Sequence, residues 1–419
     1  MIRIVSAGLF AAMTVVAARA LQPAGFGVYS FIIALVSFAT IPTTAGLSQT
    51  LARETAYARA RGNDAALAPT WLWALKWALL TTALIVAVFT VVASRIGGLS
   101  ALAEHLFLAV ALLVLMPFPR ILSGALQGLG HVWVSQFPEH IVRPGLVLIC
   151  ASLLWLLSPG DTISVSSFLT IYVGALIVEG LVAAAALRRF APFRLRDGMS
   201  GRLSRSHRAL AFSALSFGAL ASAHMINGNL DVIMLGLLAS EAETGIYKAA
   251  SIVADLVSLG LTVVSAVLMP QIAGLHALGE AEALQRLVSK AARQITLFAS
   301  LGAALQIGTG MFVLSIGFGD SYAGGYPALV ILTLGQLLGA LFGPVALVLN
   351  MTGHERLTLF MTGVSVLSNG VLNSVLIPLY GIEGAALATA TSLLLWNLLL
   401  VIALKRRTGL VSTVFGRSR

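Results

Sequence analysis

The chain has 419 residues, of which 58% are apolar and only 10% charged; its net charge is +10 and it carries one cysteine, Cys150. A soluble domain has about 25% charged residues, so this composition excludes one and defines a polytopic membrane protein. A single cysteine excludes an intramolecular disulfide and a Cys/His metal cluster, and the excess charge falls at the ends of apolar runs, where lipid headgroups rather than nucleic acid account for it.

Taken in chain order, apolar runs long enough to cross about 30 Å of hydrocarbon as helix occupy residues 2–20, 27–46, 71–93, 105–125, 137–157 and 167–187. A second set follows at 209–238, 245–268, 290–316, 326–349, 357–378 and 385–404. All are expected to be helices, because an open strand edge would leave amides unpaired in lipid and no alternating barrel pattern occurs. Pro117, Pro119, Pro144 and Pro344 mark expected kinks. Between the two sets lies a polar segment with Arg188, Arg189, Arg194, Arg196, Arg202, Arg205 and Arg208 against one acid, Asp197. The expected organisation is a six-helix lobe at 1–187, a basic inter-lobe loop at 188–208, a second six-helix lobe at 209–404 and a basic tail at 405–419. The fold class is therefore all-α, with about twelve transmembrane helices.

Orientation follows from the basic residues. Alternate connections hold Arg53, Arg59 and Arg61, the central arginines, Arg286, Lys290 and Arg293, and Arg356, whereas the opposite connections hold Arg95 alone. The positive-inside rule puts both termini in the cytoplasm of a cell whose inner membrane holds the chain. Ala18-Arg19-Ala20 imitates a signal-peptide cleavage site, but the equivalent helix at 209–238 favours a retained, shorter first helix.

The halves repeat. LQPAGFGVY at 21–29 matches LASEAETGIY at 238–247, and Gly130-His131 follows the fourth helix as Gly353-His354 follows the tenth. Six crossings per half make this a parallel repeat, related by an axis along the membrane normal.

These residues resemble a family. ARALQPAGFGVYS, from Ala18, is similar to the A-R-x-L-G-P-x-x-F-G-x-Y-S signature of the oligosaccharide and polysaccharide flippases, within the multidrug/oligosaccharidyl-lipid/polysaccharide exporter superfamily. LDVIMLGLLASEAETGIYKAAS, from Leu230, resembles the second-half counterpart, and NSVLIPLYGIEGAALATATSLLLWNLLLV, from Asn373, resembles the family's ending. Gln22 departs from the pattern where glycine is usual, as does Lys248 where a small residue is usual. The resemblance implies a MATE-like fold: two lobes around a cavity that opens alternately to each side and moves a polyprenyl-diphosphate-linked glycan outward for surface polysaccharide synthesis. It implies membrane lipids, a polysaccharide polymerase and chain-length regulator proteins as partners, and no cofactor. The alternative within the superfamily is a cation-coupled multidrug exporter. An enzyme is disfavoured: there is no Walker A motif, and no connection has room for a glycosyltransferase domain.

Charges inside apolar runs are functional candidates by default. Here they are Arg19, Lys76, Arg120, Glu139, Arg143, Glu179, Asp231, Lys248 and Asp255. Arg120 and Arg143, on consecutive helices and each about 7–9 Å from the cytoplasmic interface at 1.5 Å per residue, suit bidentate capture of a diphosphate. The competing reading is that both snorkel to the interface, with Glu139 pairing to Arg143 one turn on. Arg19 is either an interfacial anchor or an exit-side phosphate contact. Asp231 and Lys248 are expected to pair across a hairpin. Asp255, deeper and without a basic residue at i±3 or i±4, is the leading candidate for proton or cation coupling, with Asp231 beside it. Lys76, among Trp71, Trp73 and Trp77, reads as a snorkelling cation in an interfacial aromatic belt.

Overall fold

The computed structural model describes residues 2–44, 46–95, 100–157, 163–191 and 207–415. Every element assigned among them is a helix, and the chain forms two compact units, Met1–Asn229 and Leu230–Arg419. Among the described residues the twelve apolar runs lie mostly on helix, that at 326–349 being interrupted at 341–344; eight helices are long and apolar enough to cross a membrane by length and composition. The chain is an integral membrane protein.

In the first unit, α1 (Ile2–Ala39) is two helices divided at Gln22, whose φ of 60° and ψ of 170° are not helical. The cause is Pro23: it cannot donate a backbone bond, it disfavours helical geometry in the residue before it, and it is well placed to start the next helix. α2 (Leu47–Ala60) is amphipathic and buries Leu47, Leu51, Glu54 and Thr55. It packs under α3 (Leu67–Arg95) and α5 (Pro117–Gly128). Gly128 makes the close approach possible, since a Cβ there would lie 2.5 Å from Ala52 O and from Thr55 Cβ. Trp71 and Trp73 are buried, Trp71 Nε1 donating to Thr55 Oγ1 at 3.0 Å. These indoles therefore fill the core above α2 instead of forming the expected lipid-facing belt, while Lys76 is exposed.

α4 (Leu106–Leu115) breaks from α5 at Met116, as expected ahead of Pro117, whereas Pro119 lies within α5 with no break. α6 (Val132–Phe137) continues through a π-helical segment, Pro138–Val142, into α7 (Arg143–Leu157). Pro144, where a kink was expected, is the second residue of α7, with only Arg143 between it and this helical irregularity. α8 (Val165–Phe190) starts at Ser164, whose hydroxyl accepts from Ser167 N. The basic segment 192–206, the side chain of Arg95 and Asp161 lie outside the described residues.

α9 (His207–Leu238) leads into the second unit. There α10 (Glu241–Asp255) opens with a capping box formed by Ser240 and Glu243. After a 3-10 turn come α11 (Leu259–Ala277) and α12 (Ala281–Phe312), which ends in a π-helical stretch. α13 (Tyr326–Ala340) and α14 (Val345–Met351) are separated by a break at Pro344. α15 (Glu355–Thr408) is 54 residues long and divides at Gly381, whose φ of 56° is a conformation that glycine adopts without a Cβ penalty. Beyond it the chain doubles back: Gln285 bonds both the N–H and the carbonyl of Val411, and Val414 N donates to Leu341 O.

Candidate functional site

Two polar clusters stand out in the apolar interior, one in each unit. In the first, Glu139 Oε1 lies 3.3 Å from Arg120 Nε and 3.7 Å from Arg143 Nη2, while Arg143 Nη1 lies 3.4 Å from Glu179 Oε2. The sequence-predicted arginines are thus brought together, through a shared carboxylate. α8 supplies Tyr172 and Glu179, seven residues and about two turns apart on one face. The Arg143 guanidinium sits 5.9 Å from the Tyr172 ring centroid and 6.0 Å from that of Phe10, within cation–π range. Tyr29, from the Gly-Val-Tyr of the sequence repeat, packs edge-on to Phe168 and Tyr172 behind it.

Exposure grades across the cluster. The side chains of Arg120 and Glu139 are 29% and 25% exposed, those of Arg143 and Glu179 8% and 1%. Buried ions are held only by partners, yet this cluster is incompletely satisfied: Arg143 Nε and Glu179 Oε2 make no hydrogen bond. The Arg143–Glu179 contact is an ion pair by distance without hydrogen-bond alignment. The helix bounds differ from expectation too. The helix containing Arg143 begins at Val132, not at 137, so Arg143 stands about 16 Å along it at 1.5 Å per residue. His131, Ser135 and Gln136 made the first turn too polar to count as an apolar run. Arg19 is not part of this cluster; it lies nine residues, about 14 Å of helix, beyond Phe10 and one turn before the break at Gln22, whose side chain donates to its carbonyl.

The second cluster surrounds Asp231, which is 9% exposed. Its Oδ2 accepts from Tyr247 OH at 2.9 Å and Thr389 Oγ1 at 2.5 Å, and its Oδ1 accepts from Asn373 Nδ2 at 2.8 Å. Asn373 Nδ2 also donates to Asn369 Oδ1 at 3.0 Å, and Asn373 Oδ1 is buried without a donor. The expected Asp231–Lys248 pair does not form among the described residues: Asp231 faces α15 and Tyr247, one position before Lys248 and on a different side of α10. Asp255 sits exposed at the end of α10, 3.4 Å from Gln336 Nε2. Sequence reasoning missed Asn369, Asn373, Thr389 and Tyr247. The available signal was two asparagines at i and i+4 in an apolar helix, which share a face and leave two amides to be satisfied inside lipid.

The fold defines the class. Over 96% of this chain and 94% of that one, it superposes on an inward-facing multidrug resistance MATE family transporter of the MOP superfamily with a TM-score of 0.79 at 15% identity. The lipid II flippase MurJ, inward closed, matches over 96% of this chain and 86% of its own with a TM-score of 0.73 at 12% identity. A MOP superfamily transporter from Pyrococcus furiosus matches over 98% and 93% with a TM-score of 0.65 at 16% identity. No curated protein matches the sequence. The model of the polysaccharide biosynthesis protein family matches residues 1–276, and the chain belongs to that family.

Proposed function

We propose that the protein is a flippase that carries a polyprenyl-diphosphate-linked oligosaccharide outward across the inner membrane, by alternating access, for surface polysaccharide synthesis. In this reading twelve helices cross the membrane, both termini are cytoplasmic, and the basic segment 188–208 links two six-helix lobes. The observation that carries it is the pair of guanidinium groups meeting at Glu139 Oε1 between apolar helices of a polysaccharide biosynthesis protein. Arginine is the side chain whose planar fork matches phosphate oxygens, and two of them suit a diphosphate, not a cationic amphiphile. Arg120 and Arg143 form the cytoplasm-facing capture site, and Arg19 makes an exit-side contact.

Coupling falls to Asp231 before Asp255. Asp231 is held by Thr389 Oγ1, Tyr247 OH and Asn373 Nδ2, Asn373 is linked on to Asn369, and Asn373 Oδ1 in the same cluster is buried with no donor to satisfy it. A small hard cation takes oxygen ligands of that kind.

The test measures glycan export and membrane protein level together for Gln and Lys variants at both arginines. If each contributes a charge-assisted contact of about 1.5–3 kcal/mol, one Gln substitution weakens capture roughly ten- to a hundredfold. Lys rescues only in part, because it offers a point charge in place of a fork. Full export with both arginines replaced by Gln overturns the capture site.

A further inference from the structure

The two arginines do not form a vacant anion site. With all four groups ionised, Arg120 and Arg143 are matched charge for charge by Glu139 and Glu179. One carboxylate oxygen, Glu139 Oε1, lies within 3.7 Å of both guanidinium groups. That is the bridging position a phosphate oxygen takes between two arginines. The two glutamates are not equivalent. Glu179 is 1% exposed and tied to the 8%-exposed Arg143, so it cannot leave without stranding a buried cation. Glu139 and Arg120 are about a quarter exposed, and Glu139 is the second residue of the π-helical segment Pro138–Val142. Such segments are helical irregularities frequent at functional sites.

We propose that Glu139 is a built-in competitor for the anionic ligand of Arg120 and Arg143. Its carboxylate holds the phosphate position in the empty site, swings away on capture, and returns on release. Glu179 stays in place as the fixed counter-ion that positions Arg143. This inference rests on the capture-site reading above. Its physical sense is that a transporter must let go of what it binds: a diphosphate on two uncompensated arginines in a low-dielectric site would dissociate slowly, whereas a returning carboxylate supplies the anion that replaces it. Moving Glu139 aside leaves Arg120, Arg143 and Glu179 with a net charge of about +1, enough to attract a diphosphate but not to hold a deep trap.

The experiment measures binding of inorganic pyrophosphate and of farnesyl diphosphate to the full-length protein in detergent, at fixed pH and ionic strength. Glu139→Gln keeps the side chain's size and removes its charge. It should bind both probes about tenfold more tightly than wild type, the loss of one charge-assisted competitor. Arg120→Gln should bind more weakly, and the double variant Arg120→Gln/Glu139→Gln should lose part of the tightening, because the competitor acts through Arg120 as well as Arg143. Glu139→Asp keeps the charge but is one methylene too short to bridge both guanidinium groups. It should fall between wild type and Glu139→Gln, and it keeps the test open if the Gln variant folds poorly. If Arg120→Gln weakens binding while neither Glu139 variant tightens it, the competitor idea is wrong and the capture site stands. If Arg120→Gln leaves binding unchanged, the capture site fails and the competitor with it.

Discussion

Gln22 occupies a backbone conformation, φ 60° and ψ 170°, that is essentially reserved for glycine. The family-like signature ALQPAGFGVY carries glutamine at the position where glycine is usual, so Gln22→Gly offers a sharp physical test. Holding a non-glycine residue there costs of order 1–3 kcal/mol. Against that gain, glycine gives up the hydrogen bond from Gln22 Nε2 to Arg19 O, an exposed contact of 3.2 Å, worth about 0.5 kcal/mol. It also loosens the unfolded chain by about 0.5–1 kcal/mol. The balance spans about −0.5 to +2 kcal/mol, centred on a net stabilisation of about 0.75 kcal/mol, or roughly 1–3 °C in melting temperature for a unit of this size. Gln22→Ala keeps the strain and loses the hydrogen bond, so it should melt below wild type. Thermal stability of the purified protein, followed by size-exclusion chromatography in one detergent, gives the order Gly above Gln above Ala. A Gly variant that melts below the Ala variant would show that relief of backbone strain at the helix break does not outweigh the entropy that glycine adds to the unfolded chain.

Three further outcomes follow from the same structure. Glu179→Gln removes the charge that balances the buried Arg143 and, because the contact is an ion pair without a hydrogen bond, should destabilise by several kcal/mol, about as much as Glu179→Ala; a Gln variant that melts like wild type in a melting assay contradicts the pairing. Gly128→Ala drives a Cβ to 2.5 Å from Ala52 O and Thr55 Cβ and should cost about 1–3 kcal/mol, while Gly174→Ala, with nothing within 4 Å, should be neutral or slightly stabilising. Asp231→Asn should abolish ion-gradient-driven transport at normal membrane protein levels while Asp255→Asn retains most of it; the reverse result in a gradient-dependent transport assay moves the coupling site to Asp255.

The helices were legible because lipid demands long apolar runs, and among the described residues each such run is mostly helix. Pairings were less legible. Arg120 and Arg143 stood out as cations in lipid, and Glu139 as an i,i+4 partner, but the link from Glu139 back to Arg120 and from Arg143 to Glu179 depends on how three helices pack. Nothing local encodes that. Asp231 and Lys248 looked complementary on adjacent helices, yet the acid turns to α15, where hydroxyl and amide donors satisfy it without a cation. Trp71 and Trp73 misled for a related reason: tryptophan beside lysine is an interface pattern, but here an amphipathic helix, α2, covers the indoles.

Whether Arg120 and Arg143 let this polysaccharide biosynthesis family member move a diphosphate-linked glycan across a bilayer can be measured directly. The purified protein is reconstituted into liposomes holding a polyprenyl-diphosphate-linked oligosaccharide, and an impermeant glycosidase reports the appearance of glycan at the opposite leaflet. Wild type should accelerate that appearance well above protein-free liposomes, and the Arg120→Gln/Arg143→Gln variant, reconstituted to the same density, should return it close to the protein-free rate. Equal acceleration by wild type and double variant would contradict the proposed role of the two arginines.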